Sequence, residues 1–278
     1  ELTHRCPLAC PYCSNPIELE SVRNELSTAQ WQHVLGEAAD LGVLQVHLSG
    51  GEPASRRDLE AILTGAVNAG LYTNLITSGV GLPQARLRRL KDLGLDHVQI
   101  SVQDTERASC DRIAGYDGAF DRKLALARDV RELGLPLTLN APMHRQNLER
   151  LDAMIALAVE LGARRLEVAN VQYYGWALAN RAALMPTRDE VRRSLAVVQR
   201  AREVHKGVLA IDFVAPDYYA RRPKPCVGGW GRAVIVVTPS GKVLPCHAAE
   251  TIPGLTFERV RDRSLAEIWN GSAAFQAF

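Results

Sequence analysis

Cys6, Cys10 and Cys13 stand in a C-x₃-C-x₂-C spacing on a short stretch that also carries Pro7, Pro11 and Tyr12. Two thiolates can close a disulfide and four can close a zinc site; three suit neither count. Iron–sulfur clusters are held by cysteine thiolates, and a [4Fe–4S] cluster has four irons to ligate. Three cysteines on one loop would leave one iron open to a small molecule. A zinc knuckle completed by His4, or a disulfide plus a spare thiol, remains open on these residues alone.

The next chemistry-bearing stretch is Ser49-Gly-Gly-Glu-Pro53. Paired glycines let backbone approach a ligand closely, and exposed carbonyls with Glu52 could hold an ammonium group. Small polar residues recur further on, at Thr77-Ser78-Gly79, Ser101-Val-Gln-Asp104, Asn140 and Asn170. Each is also a normal helix-cap residue. Two further cysteines, Cys226 and Cys246, flank a glycine-rich turn and a hairpin, whereas Cys110 sits mid-helix without a partner.

These residues need a scaffold, and the sequence spells one. Short β-type runs at 44–49, 72–77, 97–102, 137–140 and 166–171 alternate with amphipathic stretches at 28–41, 57–69, 83–93, 120–133 and 148–161. The amphipathic stretches end in Leu-Gly or Ala-Gly, the stop signal of a helix. Strand–helix alternation predicts parallel βα units. Counting a strand that enters at Leu2-Thr3 gives six, an open (β/α)₆ barrel in the α/β class. Ligands of parallel α/β folds gather at the carboxyl ends of the strands, and the polar residues above fall there.

Beyond Val171 the order changes. Residues 173–181 read as an aromatic loop, and Thr187–His205 as one long helix capped by Thr187 with Glu190. A hairpin pairs 233–237 with 242–244 across Pro239-Ser-Gly241. The organisation expected is a barrel over 1–206 and a smaller unit over 207–278. The chain starts at Glu1, inside that first strand, and ends at Phe278 just after a helix, which reads as a piece cut at both ends.

With 47% apolar and 23% charged residues and a net charge of +2, the 278 residues have ordinary globular composition. The basic groups at 86–91 and 192–193 suit solvated helix faces rather than a nucleic-acid surface. There is neither an apolar run of the ~18 residues that span a bilayer nor an export signal. Reduced thiols in such a chain point to the cytoplasm.

The cysteine spacing with an aromatic before its last member, followed by Gly-Gly-Glu-Pro after the next strand, resembles the radical S-adenosylmethionine (SAM) superfamily. That resemblance implies a [4Fe–4S] cluster on Cys6, Cys10 and Cys13. It also implies a SAM pocket of Tyr12, Gly50, Gly51, Glu52, Pro53, Ser78, Ser101 and Asn140, with Lys123 pairing the SAM carboxylate and Arg122 its rival. The Cys226…Cys246 layout resembles the start of a SPASM extension, which holds auxiliary iron–sulfur clusters; no cysteine follows Cys246. The stretches Glu1–Pro16, Val171–Arg181, Pro216-Asp-Tyr-Tyr219 and Cys226–Gly231 look like the PqqE family of pyrroloquinoline quinone (PQQ) biosynthesis. The implied reaction is a radical Glu–Tyr cross-link in the precursor peptide PqqA, presented by the carrier PqqD, with an external reductant such as flavodoxin. Tyr173, Tyr174, Trp176 and Arg181 are the residues expected to face peptide. Competing readings are another SPASM peptide maturase, an iron–sulfur electron carrier that never cleaves SAM, and a zinc-stabilised peptide-binding module.

Overall fold

In the computed structural model, which describes residues 1–214, 218–219, 222 and 228–278, six parallel strands form one sheet in chain order. They are β1 (Gln45–Leu48), β2 (Tyr72–Thr77), β3 (His97–Ser101), β4 (Leu137–Met143), β5 (Arg165–Asn170) and β6 (Ala210–Val214). Between them run α1 (Thr28–Asp40, ahead of β1), α2 (Leu59–Asn68), α3 (Gln84–Asp92), α4 (Arg107–Ala114), α5 (Ala119–Glu132) and α6 (Leu151–Glu160). After β5 come α7 (Gly175–Ala179), α8 (Arg181–Leu184) and α9 (Arg188–Val204).

Local chemistry sets the bounds of these helices. Ser27 and Gln30 close a capping box on α1, and Thr187 with Glu190 does the same on α9, satisfying amides that a helix start leaves unpaired. At Gly94, φ is 105°, a conformation that lets the chain reverse after α3 into β3. Leucine, isoleucine and valine on the inner helix faces and on the sheet's outer face merge into one core, including Leu59, Ile62, Leu87, Val98, Leu139 and Leu166. The partial barrel expected from the alternation is therefore present.

Three details differ from expectation. The segment at Leu2–Thr3 is not a barrel strand. It pairs just beyond β1, where Leu2 N–H donates to Ser49 O and Gly51 N–H to Thr3 O, both at 2.7 Å. The sixth strand is instead Ala210–Val214, which lies past the division expected at residue 206 and pairs with β5 in parallel register. In the expected aromatic loop, Trp176-Ala-Leu-Ala179 supplies good helix formers and winds into α7.

The C-terminal residues add a short hairpin, β7 (Val236–Val237) and β8 (Val243–Leu244), and helix α10 (Leu265–Gly271). A small second core of Val243, Leu265, Ile268 and Phe275 packs against Ala38 of α1 and Leu41 just past its end. Leu265 N–H donates to the Glu37 carboxylate of α1 at 3.0 Å. No helix among the described residues is long and apolar enough to cross a membrane.

Candidate active site

Side chains alternate across a strand, so the face opposite the helices carries a polar set. His47 Nδ1 lies 3.2 Å from Asn74 Nδ2, and Gln99 Nε2 donates to Glu167 at 3.2 Å across the intervening strand. Register places Ser101 beside Asn140 and Asn140 beside Glu167 in one row near the carboxyl ends. Asn140 Oδ1 is buried with no donor among the described residues, an acceptor that a ligand hydroxyl could satisfy.

The cysteine loop passes over the carboxyl end of β1 and is fastened at several points. Gly51 N–H and Glu52 N–H donate to Thr3 O and Arg5 O at 2.7 Å each. A Cβ on Gly50 would lie 2.4 Å from Thr3 O, and one on Gly51 would lie 2.4 Å from Arg5 O and 2.6 Å from His4 O. The paired glycines thus admit the base of the cysteine loop itself. Arg56, buried at 5% exposure, clamps the same segment by donating to Leu2 O and Leu26 O, each at 3.0 Å. Asn180, which caps α7, donates to Pro11 O at 2.9 Å and holds the loop's far side.

Glu52 is 1% exposed and fully engaged. Its carboxylate accepts from Ala54 N–H (3.0 Å), Thr77 Oγ1–H (2.9 Å), Ser78 N–H (2.7 Å) and Ser78 Oγ–H (2.6 Å). These bonds lock the loop after β1 to the end of β2. Pro53 starts a single tight turn behind it and is buried. Lys123 of α5 reaches under this layer with no exposed surface; its Nζ donates to Ser101 O at 3.0 Å and to Ser78 O. Burial chiefly pushes its pKa below the usual lysine range. Two of the three ammonium donors are spent on these carbonyls. Its rival Arg122 points outward, with its guanidinium 5.4 Å from the Tyr116 ring centre.

The three thiols are neighbours: burial chiefly raises Cys6 to about 11 and Cys10 to about 12, and Cys13 adds to both. The fold alone therefore opposes thiolates, and only a cationic centre would hold them ionised. Among the described residues no three His, Cys, Asp or Glu side chains converge on a single metal position. A cluster does not require that, since its thiolates bind separate irons. The soft donor set and the orphaned Asn140 acceptor both fit an iron–sulfur cluster with a hydroxyl-bearing ligand. Cys246 lies at the turn after the hairpin, partly exposed; Cys226 lies outside the described residues. Cys110 is buried in α4.

Of the residues expected at the peptide side, Tyr173 packs edge-to-face on Tyr218 at 5.2 Å, and Trp176 is 38% exposed on α7. Tyr174 is half-buried and close enough to Cys13 and Cys246 to feel both; burial chiefly raises its hydroxyl to about 12. Arg181 opens α8 and is exposed. Sequence reasoning passed over His144, whose ring is 5.5 Å from that of Tyr12. Burial holds it neutral, with a pKa of about 4. Its Nδ1 accepts from Gln146 N–H at 3.3 Å, so the buried Nε2, without a partner among the described residues, carries the hydrogen. Its place after β4 was the available signal.

Comparison with known proteins follows the same lines. The family described as "Radical SAM superfamily" matches residues 1–158, and "Iron-sulfur cluster-binding domain" (SPASM) matches 226–278. Among solved structures, Streptococcus suis SuiB bound to S-adenosylmethionine superposes with a TM-score of 0.82 at 19% identity, over 99% of this chain and 65% of that one. The enzyme anSMEcpe with bound AdoMet and Kp18Cys peptide gives 0.75 at 13%, over 100% of this chain and 80% of that one. Both likenesses show the fold. It is the fold of a radical SAM enzyme, a class that works with a [4Fe–4S] cluster and SAM, here with a SPASM region for auxiliary iron–sulfur.

The chain is 62% identical to the PqqA peptide cyclase of Methylocella silvestris and 58% identical to that of Rhizobium meliloti, each over all 278 residues and 74% of the relative's length. It belongs to the PqqA peptide cyclase family.

Proposed function

We propose that the chain carries out the cross-linking step of PQQ biosynthesis, joining a glutamate side chain of PqqA to a nearby tyrosine ring through a carbon–carbon bond. The observation that carries the substrate is the identity, across all 278 residues, to relatives of that name, 62% at its highest among those above. Cys6, Cys10 and Cys13 are assigned as the cluster ligands, and Cys226 and Cys246 as auxiliary ligands. In this class the cluster and SAM together supply a 5′-deoxyadenosyl radical, which would take the hydrogen from the glutamate side chain.

The chain's own work is holding and shielding. Glu52, fixed by Thr77 and Ser78, sets the Gly50–Pro53 edge of the proposed SAM pocket. Lys123 ties the β2 and β3 ends together and keeps one donor for the SAM carboxylate. Ser101 and Asn140 offer polar atoms to the ribose, while Tyr12, with His144 behind it, closes the pocket's adenine side. The near-complete burial of Glu52 and Lys123 keeps water from a reactive intermediate. Tyr173, Tyr174, Trp176 and Arg181 form the peptide rim. PqqD as carrier, a flavodoxin-type reductant and a cytoplasmic setting complete the reading.

The test is anaerobic incubation of the iron–sulfur-loaded, full-length protein with SAM, a strong reductant, PqqA and PqqD. A PqqA product lighter by two hydrogen atoms, with the cross-link mapped to a Glu–Tyr pair, is the expected result. Unaltered PqqA alongside released deoxyadenosine would keep the class and reject this substrate.

A further inference from the structure

A cavity of about 520 Å³ opens beside α7 and α8, lined by Arg145, Leu178, Arg181, Met185 and Tyr219 together with Ala179 and Ala182. We propose that it is a carboxylate-binding subsite that grips an acidic residue of the peptide substrate through Arg145 and Arg181. The proposal rests on the peptide-substrate reading above and adds a docking point to it.

Both guanidiniums are held yet largely unspent. Among the described residues the Arg145 guanidinium donates to Ala182 O at 3.3 Å, and Arg181 Nε donates to the Met185 sulfur at 3.2 Å. Neither has a carboxylate within ion-pair distance among the described residues. Glu190 is near enough to feel Arg145, but its carboxylate is committed to the Thr187 amide and hydroxyl. Two arginines lining one cavity, each with most of its guanidinium donors uncommitted, match a carboxylate, whose two oxygens accept parallel N–H bonds. Leu178 and Met185 give the cavity an apolar wall for the methylenes of an acidic side chain. Tyr219 is fixed as another wall: its hydroxyl donates to Pro186 O at 2.6 Å, and Arg188 sits 5.4 Å from its ring centre on a further contact.

Location ties the cavity to the reaction. Arg145 directly follows His144, which packs on Tyr12 of the cysteine loop. Arg181 directly follows Asn180, which holds Pro11 of the same loop. Both arginines also act on the Tyr173 hydroxyl at the expected peptide rim. A peptide anchored here would enter one residue away from side chains that fasten the cluster loop.

The experiment is fluorescence anisotropy of labelled PqqA on the full-length, cluster-loaded protein and on Arg145→Gln, Arg181→Gln, the double Gln variant and the double Lys variant. Loss of a charge-assisted pair predicts binding weaker by about 10- to 100-fold in the double Gln variant, partly restored by the Lys pair. Peptides with each Glu or Asp exchanged for its amide, and one with an amidated C-terminus, separate a side-chain carboxylate from the terminal one. One of them should bind wild type weakly and show no further loss with the double Gln variant. Equal affinity of wild type and variants, or an equal loss for charged and neutral peptides, overturns the subsite. Variants that bind as wild type while wild type still cross-links PqqA sink the subsite alone. Charge-dependent binding of PqqA without any cross-linking keeps the subsite and sinks the substrate reading. Absence of PqqA binding by wild type overturns both.

Discussion

Replacing Gly51 with alanine tests how the cysteine loop is seated. The added Cβ would stand 2.4 Å from Arg5 O and 2.6 Å from His4 O, against an ordinary contact limit of 3.4 Å. Backbone, not a flexible side-chain tip, must therefore retreat by about 1 Å. The neighbouring 2.7 Å bonds from Gly51 and Glu52 to Thr3 and Arg5 would stretch with it. Overpacking costs about 1–3 kcal/mol, and two weakened backbone bonds add roughly 1–2 kcal/mol. The expected loss is about 2–5 kcal/mol, or on the order of 5–15 °C in melting temperature for a chain of this size. Gly36 is the matched control. It lies inside α1 with nothing within 4 Å of the added carbon. Alanine there should stabilise by about 0.5–1 kcal/mol. The assay is urea denaturation of both variants beside wild type, followed by iron content after anaerobic reconstitution. Gly51→Ala should lose stability and iron together, and Gly36→Ala neither. Wild-type stability and iron content in Gly51→Ala would refute the seating described.

Further outcomes follow from the same contacts. Glu52→Gln turns an acceptor into a donor facing the Ser78 amide and hydroxyl, so its denaturation midpoint should fall by the equivalent of about 2–4 kcal/mol; an unchanged midpoint would contradict the buried network. Asp58 is pushed up by burial, but hydrogen bonds from Arg56 and Thr28 outweigh this and hold its pKa at about 2. Its folded pKa is depressed, so its stabilisation is present above pH ~4 and lost as pH falls through about 2, roughly 1–2 kcal/mol after solvent screening. The gap between wild type and Asp58→Asn in denaturation midpoint should shrink from pH 6 to pH 2, and a constant gap would exclude the linkage. Tyr174→Leu with Trp176→Leu should slow PqqA cross-linking at least several-fold by mass spectrometry; an unchanged rate would remove both from the peptide rim.

Much of this architecture can be read from residues. Helix stops at Leu-Gly pairs and the capping boxes at Ser27 and Thr187 act locally, so sequence carries them in full. The partial barrel follows from the alternation they punctuate. Long-range choices are less visible. Leu2-Thr3 has strand-like residues, yet its backbone pairs with Ser49 and Gly51 just past the end of β1, and nothing in its sequence says where that pairing falls. Ala210–Val214 follows a long helix and a shift in composition, but its edge pairing with β5 places it in the barrel sheet. At the site, the cysteine spacing and Gly50–Pro53 announce themselves because their chemistry is tied to spacing. Arg56 and His144 do not, because a buried arginine or histidine is defined by which carbonyls and rings surround it. Lys123 and Arg122 are both legible as basic residues, but which of them turns inward depends on the helix's rotation.

The central claim is that the loop carrying Cys6, Cys10 and Cys13 is the site of SAM cleavage. Its most direct test is release of 5′-deoxyadenosine, measured by mass from reduced, iron–sulfur-reconstituted full-length protein and from Cys6→Ala, Cys10→Ala and Cys13→Ala. Release by wild type that disappears in all three variants is the predicted result. Release that survives loss of any of these thiols, or none from fully loaded wild type, would contradict the account.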